Sequence, residues 1–364
     1  MIAPTELFIG VMLGTSLDGI DTVLVNTTAK PHIVDHYYQA YDPKLKQLLL
    51  ALCAPGADEI ERMAVADKQV AELVAATVDK LLDQSNTVRR DVTAIGSHGQ
   101  TIRHAPARYS LQIGDPNHIA YLTGITTVAD FRRKDIAAGG QGAPFAPAFH
   151  RAVFADTVKS RAIVNIGGMA NITVLVPNHP SIGYDTGPGN VLLDAWIQQQ
   201  CGKTYDDNGT WARQGEVDEE LLATLLAHDY FAQPFPKSTG REQFNLNWLA
   251  QRLADSKLAP VDVQRTLTEL SAASICDAIK EHGALDETYI CGGGAYNALL
   301  MDRLQELLPG NIVATTSALG ITPNLVEASA FAWFAQQTLL RTPVDLCSIT
   351  GASKASVLGG VYYP

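Results

Sequence analysis

Short apolar runs alternate with longer stretches of helical periodicity along the whole chain, which is the pattern of an α/β protein. Leu7–Leu13 is apolar, the loop Gly14-Thr15-Ser16-Leu17-Asp18-Gly19 follows, and Asp21–Val25 is apolar again. Two strands around a glycine turn make a hairpin. The pattern returns near the middle of the chain: Ala162–Ile166, then Gly167-Gly168-Met169-Ala170-Asn171, then the run Ile172–Val176. A duplication is expected, with one glycine hairpin opening each half. Apolar residues fall at helical spacing over Ile60–Asp83, Val217–Ala227, Leu246–Leu253 and Val263–His282, the last with Asp262 as its N-cap. Tyr289–Cys291 reads as a strand entering Gly292-Gly293-Gly294, with a helix over Asn297–Leu308. Pro323 precedes a further apolar helix, Asn324–Leu340. No low-complexity linker separates the halves, so the spacing predicts closely coupled domains.

Length and composition agree with this picture. A chain of 364 residues exceeds what one hydrophobic core usually organises. Apolar residues make up 46% and charged ones 18%, an ordinary globular balance. No run approaches the roughly 20 apolar residues of a membrane span, and no secretory signal is visible, so a cytoplasmic protein is expected. The net charge of −11 disfavours nucleic acid, whose backbone is bound by a basic face. It leaves room for one phosphorylated nucleotide, because backbone amides and a metal ion can hold a few phosphates. The cysteines Cys53, Cys201, Cys276, Cys291 and Cys347 contain no C-x-x-C pair. They are expected to be reduced, small and buried.

Three glycine-rich segments carry the candidate chemistry. The loop from Gly10 to Asp21 places Thr15 and Ser16 hydroxyls among glycines that let backbone approach a ligand. It is no Walker A loop, since it lacks G-K-[ST] and a strand follows it. The second segment joins Asn165–Ile172 to Asp185-Thr186-Gly187-Pro188-Gly189-Asn190, and the third is Cys291–Asn297. A plain turn accounts for any one of them. Together, at strand ends of a duplicated α/β chain, they match the actin, hexokinase and Hsp70 class. In that class two hairpin loops clamp phosphates and a later glycine turn receives the adenosine.

Longer blocks make the likeness specific. GVMLGTSLDGID from Gly10, GSHGQTIRH from Gly96, LQIGDPNHIA from Leu111 and VADFRRKDIAAGGQGAPFAP from Val128 occur in order. NIGGMANIT from Asn165, YDTGPGN from Tyr184, KSTGREQFN from Lys237 and CGGGAYN from Cys291 follow. Over essentially its whole length the chain resembles the anhydro-N-acetylmuramic acid kinases of bacterial cell-wall recycling. Leu13 departs from that family, which usually has a serine there, so a hydroxyl contact to nucleotide is lost.

The resemblance implies a duplicated actin-like, ribonuclease H-like fold with a central nucleotide cleft. One domain would comprise residues 1–130 and roughly 352–364, the other residues 131–351. It implies opening of the 1,6-anhydro bridge and transfer of the ATP γ-phosphoryl to O6, with Mg²⁺ and a homodimer. Asp185 is the expected base for the attacking water, with Glu327 as a second acidic residue. Gly14, Thr15, Ser16, Leu17, Asp18, Gly19, Ile20 and Asp21 would surround the phosphates, with Asp18 or Asp21 toward Mg²⁺. Asn165, Gly167, Gly168 and Gly187 belong to the second phosphate region, and Gly292, Gly293 and Gly294 flank the adenosine. His98, Gly99, Gln100, Thr101, Asp130, Arg132 and Asp135 are the expected sugar contacts. Arg132 suits the lactyl carboxylate, since a guanidinium pairs carboxylates bidentately, with Arg133 as the alternative. His98 has no partners at metal spacing, so it is no zinc ligand. Lys237–Phe244 receives no role. The rival readings are an actin-like ATPase without a sugar substrate, an anhydro-sugar hydrolase that ignores nucleotide, and a kinase of another sugar.

Overall fold

The computed structural model describes residues 6–28, 31–253 and 256–364. The chain forms two compact units, Met1–Phe149 with Leu325–Pro364, and His150–Asn324. In the first unit, strands β1 (Leu7–Leu13), β2 (Gly19–Asn26), β3 (His32–Ala40), β4 (Val92–Ser97) and β7 (Thr127–Ala129) share a sheet with β13 (Gly360–Tyr362), in the order β13-β7-β4-β1-β2-β3. A separate hairpin pairs β5 (Gln100–Ala105) with β6 (Tyr109–Ile113). β1 lies between two neighbours with both faces covered, which is why it reads as a continuous apolar run. β3 is the edge strand, and its residues alternate between exposed and half-buried.

The second unit contains β8 (Arg161–Ile166), β9 (Met169–Leu175), β10 (Ile182–Pro188), β11 (Glu287–Cys291) and β12 (Ile312–Thr315), in the order β10-β9-β8-β11-β12. In each sheet the first three strands form an antiparallel meander, and the next two run parallel to the first. This arrangement, present twice, is the duplicated ribonuclease H-like topology of the actin-like fold. Each sheet carries a long helix. Glu59–Gln84 buries Val70, Val74, Val78 and Leu81 against the first, and Pro260–Lys280 buries Ile275, Cys276 and Ile279 beside the second. Each of the aliphatic side chains contributes about 1.5–3 kcal/mol of burial.

Several sequence expectations need correction. The first unit extends to Phe149 rather than ending at residue 130, and the chain returns to it at Leu325 rather than near residue 352. The reason is the helix Val326–Leu339, which packs on β1 and β4. Gly10 and Gly96 admit its backbone: a Cβ on Gly10 would lie 1.9 Å from Ala328 O, and one on Gly96 2.0 Å from Phe331 O. Met169–Asn171 belongs to β9, which leaves Gly167-Gly168 alone as the turn. The helix expected from Val263 begins at Pro260, whose fixed φ suits the first helical position. Asp262 is therefore no N-cap, and its carboxylate accepts from Glu216 N at 2.9 Å. None of the five cysteines forms a disulfide; Cys276 and Cys291 are buried, but Cys53, Cys201 and Cys347 are exposed.

Candidate functional site

The structure separates glycines that packing requires from glycines that it does not. A Cβ on Gly19 would lie 2.3 Å from Gln39 O, one on Gly187 2.8 Å from Phe231 Cε1, and one on Gly294 2.3 Å from Ile166 Cγ2. Gly292 has φ +76°, and a Cβ there would lie 2.3 Å from Asn165 Oδ1. The fold alone explains these four. Gly14, Gly167, Gly168 and Gly293 differ: among the described residues, a Cβ on any of them would meet nothing nearer than 3.5 Å. Nothing inside the protein forbids a side chain there, and the bare backbone is left open to close approach by a ligand.

In the first unit, Thr15, Ser16 and Asp18 are exposed on the turn between β1 and β2. Leu17 and Ile20, expected beside the nucleotide, point into the core, as does Leu13. Leu17 has φ +57° and its N–H donates to Gly14 O at 3.3 Å, which closes the turn. Gln100 fastens it from outside: Nε2 donates to Gly14 O at 3.1 Å, while Oε1 accepts from Tyr41 Oη at 2.8 Å. Gln100 is thus spent on the loop rather than offered to a sugar.

His98 accepts from Arg132 Nε at 3.1 Å on Nε2, with Arg132 Nη2 2.8 Å from the same nitrogen. Burial and the neighbouring guanidinium push the His98 pKa well down, against the opposing pull of the Leu13 and Gly99 backbone. The neutral ring orients Arg132, whose Nη1 donates to Gly142 O at 3.0 Å. Burial lowers Arg132 to about 10, while Glu327 and Asp135 pull it upward. Arg133 is exposed and bonded to Asp130 at 2.6 Å. Asp135 is buried and accepts from Gly142 N at 2.8 Å and Thr350 Oγ1 at 2.7 Å, so it shapes a loop. Thr101 Oγ1 accepts from Gln112 Nε2 at 3.0 Å. A pocket of about 140 Å³ is lined by His98, Gly99, Gln112, Asp130, Arg133 and Tyr362.

Asp21 and Glu327 form the acidic side of this unit. Burial, then the Glu327 charge, raises Asp21 to about 6. Glu327 sits in the first turn of Val326–Leu339, open to solvent but surrounded by enough protein to raise its pKa, with Arg132 opposing. Asp18 is engaged instead by Lys46 Nζ at 3.1 Å.

In the second unit, Asp185 lies in β10 beside a register shift before Gly187, opposite Asn171 of β9. It is neither a turn nor a cap residue. Its N–H donates to Lys237 O at 3.0 Å, its Oδ2 accepts from Thr239 N at 3.0 Å, and its carbonyl accepts from Tyr230 Oη at 2.6 Å. Lys237 Nζ in turn donates to Tyr230 O and Phe231 O at 3.3 and 3.0 Å. The segment that sequence reading left without a role therefore holds Asp185. Burial raises Asp185 to about 6; the Thr239 hydrogen bond opposes this and Glu242 adds to it. Gly189 N and Val191 N donate to Gly168 O, and Asn190 N to Gly167 O, at 2.8–2.9 Å, which seats the helix Val191–Cys201 on the glycine turn.

A pocket of about 370 Å³ opens beside Gly293, lined also by Asn190, Tyr205, Asp207, Asn208 and Tyr296. Its size and paired aromatic residues suit a nucleobase. Asp206 builds the wall, accepting from Trp211 N and Ala212 N at 2.9 Å. The glycines at 292–294 were legible, but residues 205–208 carry no motif and are found only through the fold.

A family model described as anhydro-N-acetylmuramic acid kinase matches residues 6–364. The protein of that name from Saccharophagus degradans is 50% identical over 368 residues, covering 99% of each chain. That from Pseudomonas paraeruginosa is 49% identical over 365 residues, covering 100% of each. Among solved structures, the activator of 2-hydroxyisocaproyl-CoA dehydratase from Clostridium difficile, with bound ADPNP, gives a TM-score of 0.48. It is 13% identical and covers 91% of this chain and 94% of its own.

Proposed function

The chain belongs to the anhydro-N-acetylmuramic acid kinase family, and we propose from that premise that Asp185 is the base of an ATP-dependent, water-consuming phosphoryl transfer. The observation that carries the assignment is Asp185 itself, a constrained carboxylate beside a bare glycine turn, with its pKa raised to about 6. A general base works best when its pKa lies near the operating pH, and burial supplies that match here.

The step balances without a dedicated acid. Water oxygen bonds to C1 of the anhydro sugar while Asp185 takes its proton. The C1–O6 bond breaks with its electron pair going to O6. O6 bonds to the γ-phosphorus, and the bond from that phosphorus to the bridging oxygen breaks, leaving its pair on ADP. The product gains one phosphoryl group and one water, as N-acetylmuramic acid 6-phosphate. The exposed Thr15 and Ser16 hydroxyls and the Gly14, Gly167 and Gly168 backbone suit the phosphates, and the pocket beside Gly293 suits adenosine. Arg132, fixed by His98, keeps donors of its fork for a carboxylate. Glu327 would help hold the water.

Mg²⁺ fits this chain. Among the described residues no cluster of three metal-type ligands occurs, but Mg²⁺ takes one or two carboxylates and keeps waters. Asp21 is the better holder, because the Glu327 charge already disfavours its ionised form and a cation would relieve that, whereas Asp18 is paired with Lys46. When bound, the ion neutralises charge developing on the transferred group. A homodimer and a cytoplasmic location belong to the same reading and rest on the family resemblance; light scattering in solution tests the first.

The experiment is ADP release from Mg·ATP with and without anhydro-N-acetylmuramic acid, with the product weighed by mass spectrometry. Sugar-dependent ADP and a product heavier by phosphoryl plus water are expected. ADP release indifferent to the sugar would overturn the reading.

A further inference from the structure

The segment that holds Asp185 also carries a cation that nothing so far employs. Arg241 is exposed, and a Cβ built on Gly168 would lie 3.9 Å from its Nη2. The backbone around it is fixed: Gln243 N and Phe244 N donate to Gly240 O at 3.1 and 3.2 Å, Asn245 Nδ2 donates to Arg241 O at 2.9 Å, and Phe244 is fully buried. Among the described residues its guanidinium has no hydrogen bond and no carboxylate at ion-pair distance. An arginine held on a rigid turn, unpaired, leaning over a glycine whose missing side chain the fold does not need, is placed to meet an anion seated on that glycine.

We propose that Arg241 is a catalytic residue that pairs with the oxygens of the phosphoryl group in flight. The proposal rests on the reading that Gly167-Gly168 seats phosphates. Arg241 makes and breaks no bond. It offers two parallel N–H donors to charge that grows as the bridging oxygen departs with its electron pair, while Thr239 two residues earlier holds the base. One short segment thereby sets the base and the phosphoryl clamp in a common frame.

Arg241→Ala is expected to lower kcat by about 10²–10³-fold while the dissociation constant for ADP stays within about threefold. Arg241→Lys should recover part of the loss, since it restores charge without the fork. A kcat within about threefold of the parent overturns the proposal, and so does an equal loss of ADP binding, which would make Arg241 a ground-state contact. Gly168→Ala tests the premise separately, because its Cβ would meet nothing nearer than 3.9 Å in the free protein: KM for ATP should rise severalfold at unchanged melting temperature. If Arg241→Ala alone is silent, the phosphate seat stands and Arg241 is merely solvated. If Gly168→Ala is silent too, the seat lies elsewhere and both readings fall.

Discussion

The two glycine turns occupy the same place in two sheets of the same topology, yet they are built differently. The turn between β1 and β2 is long, carries its own hydroxyls and carboxylate, and is anchored by Leu17 in the core and Gln100 from outside. The turn between β8 and β9 is Gly167-Gly168 alone, with no functional side chain of its own. The polar groups proposed to act there come from other elements: Asp185 from β10, Thr239 and Arg241 from the segment after residue 230, and the helix start at Val191. The third strands differ in the same sense. β3 is a plain edge, whereas β10 carries Asp185, the proposed base, at a register shift. A duplicated scaffold fixes where a ligand can lie, and the residues that act there are supplied separately in each half.

That contrast is broken or upheld most sharply by Asp185→Asn set against Asp18→Asn. The first should cut kcat by about 10²–10⁴-fold with ADP binding intact. The second removes an exposed carboxylate already paired with Lys46 and should cost less than about tenfold. Equal losses would put the acid chemistry on both turns. Asp185→Asn should also stabilise the protein by up to about 3 kcal/mol at neutral pH, because a carboxyl raised to about 6 makes its ionised form costly to the fold. Asparagine still accepts from Thr239 N, so a fall in melting temperature would contradict this account.

The glycines give the next largest effect. Gly10→Ala forces a Cβ to 1.9 Å from Ala328 O and should destabilise the protein by about 2–4 kcal/mol. Gly14→Ala, whose Cβ would make only an ordinary 3.5 Å contact with Ser16 Oγ, should leave the melting temperature unchanged and raise KM for ATP instead. If both lower stability alike, the distinction between packing glycines and ligand glycines fails.

The pH profile follows. With Asp185 as the proposed base, only its ionised form can act, so kcat/KM should climb with unit slope up to about pH 6 and then level. For stability the sign is opposite. The native state binds more protons than the unfolded chain between about pH 4 and 6, so this group's destabilisation is complete above 6 and is relieved as pH falls through that window. Asp185→Asn should remove both dependences; a profile that persists in the variant belongs to Asp21 or another group.

Much of this was legible in the sequence. Apolar runs and glycine turns located both hairpins, and the blocks around Gly10, Asn165, Asp185 and Cys291 marked the loops. What escaped depends on contacts between distant segments. Gln100 and Asp135 look like ligand residues in a list, but their polar atoms are taken by Gly14, Tyr41, Gly142 and Thr350. Thr239 acts through its backbone N–H, and the Tyr230 hydroxyl and the Asp206 carboxylate bond backbone groups, so no motif of paired side chains marks them. The unit boundary was missed because nothing in the sequence marks Gly10 and Gly96 as the glycines that admit the helix Val326–Leu339.

Tyr230→Phe makes the smallest and cleanest change on the second turn. The ring keeps its edge-on packing against Phe231 and Phe244, and only the hydroxyl that donates to Asp185 O at 2.6 Å is lost. A hydrogen bond of this kind is worth about 0.5–1.5 kcal/mol, or roughly a two- to tenfold effect if it is felt wholly in the transition state. The expected result is a loss of kcat in that range, KM for ATP unchanged, and a small drop in melting temperature. Because Thr239 N still holds the carboxylate, the break near pH 6 should remain where it is in the parent. A shifted break would mean that the hydroxyl tunes the ionisation of Asp185. An unaltered kcat would mean that Thr239 and Lys237 suffice to place the base, and that the second turn relies on fewer outside supports than its contrast with the first implies.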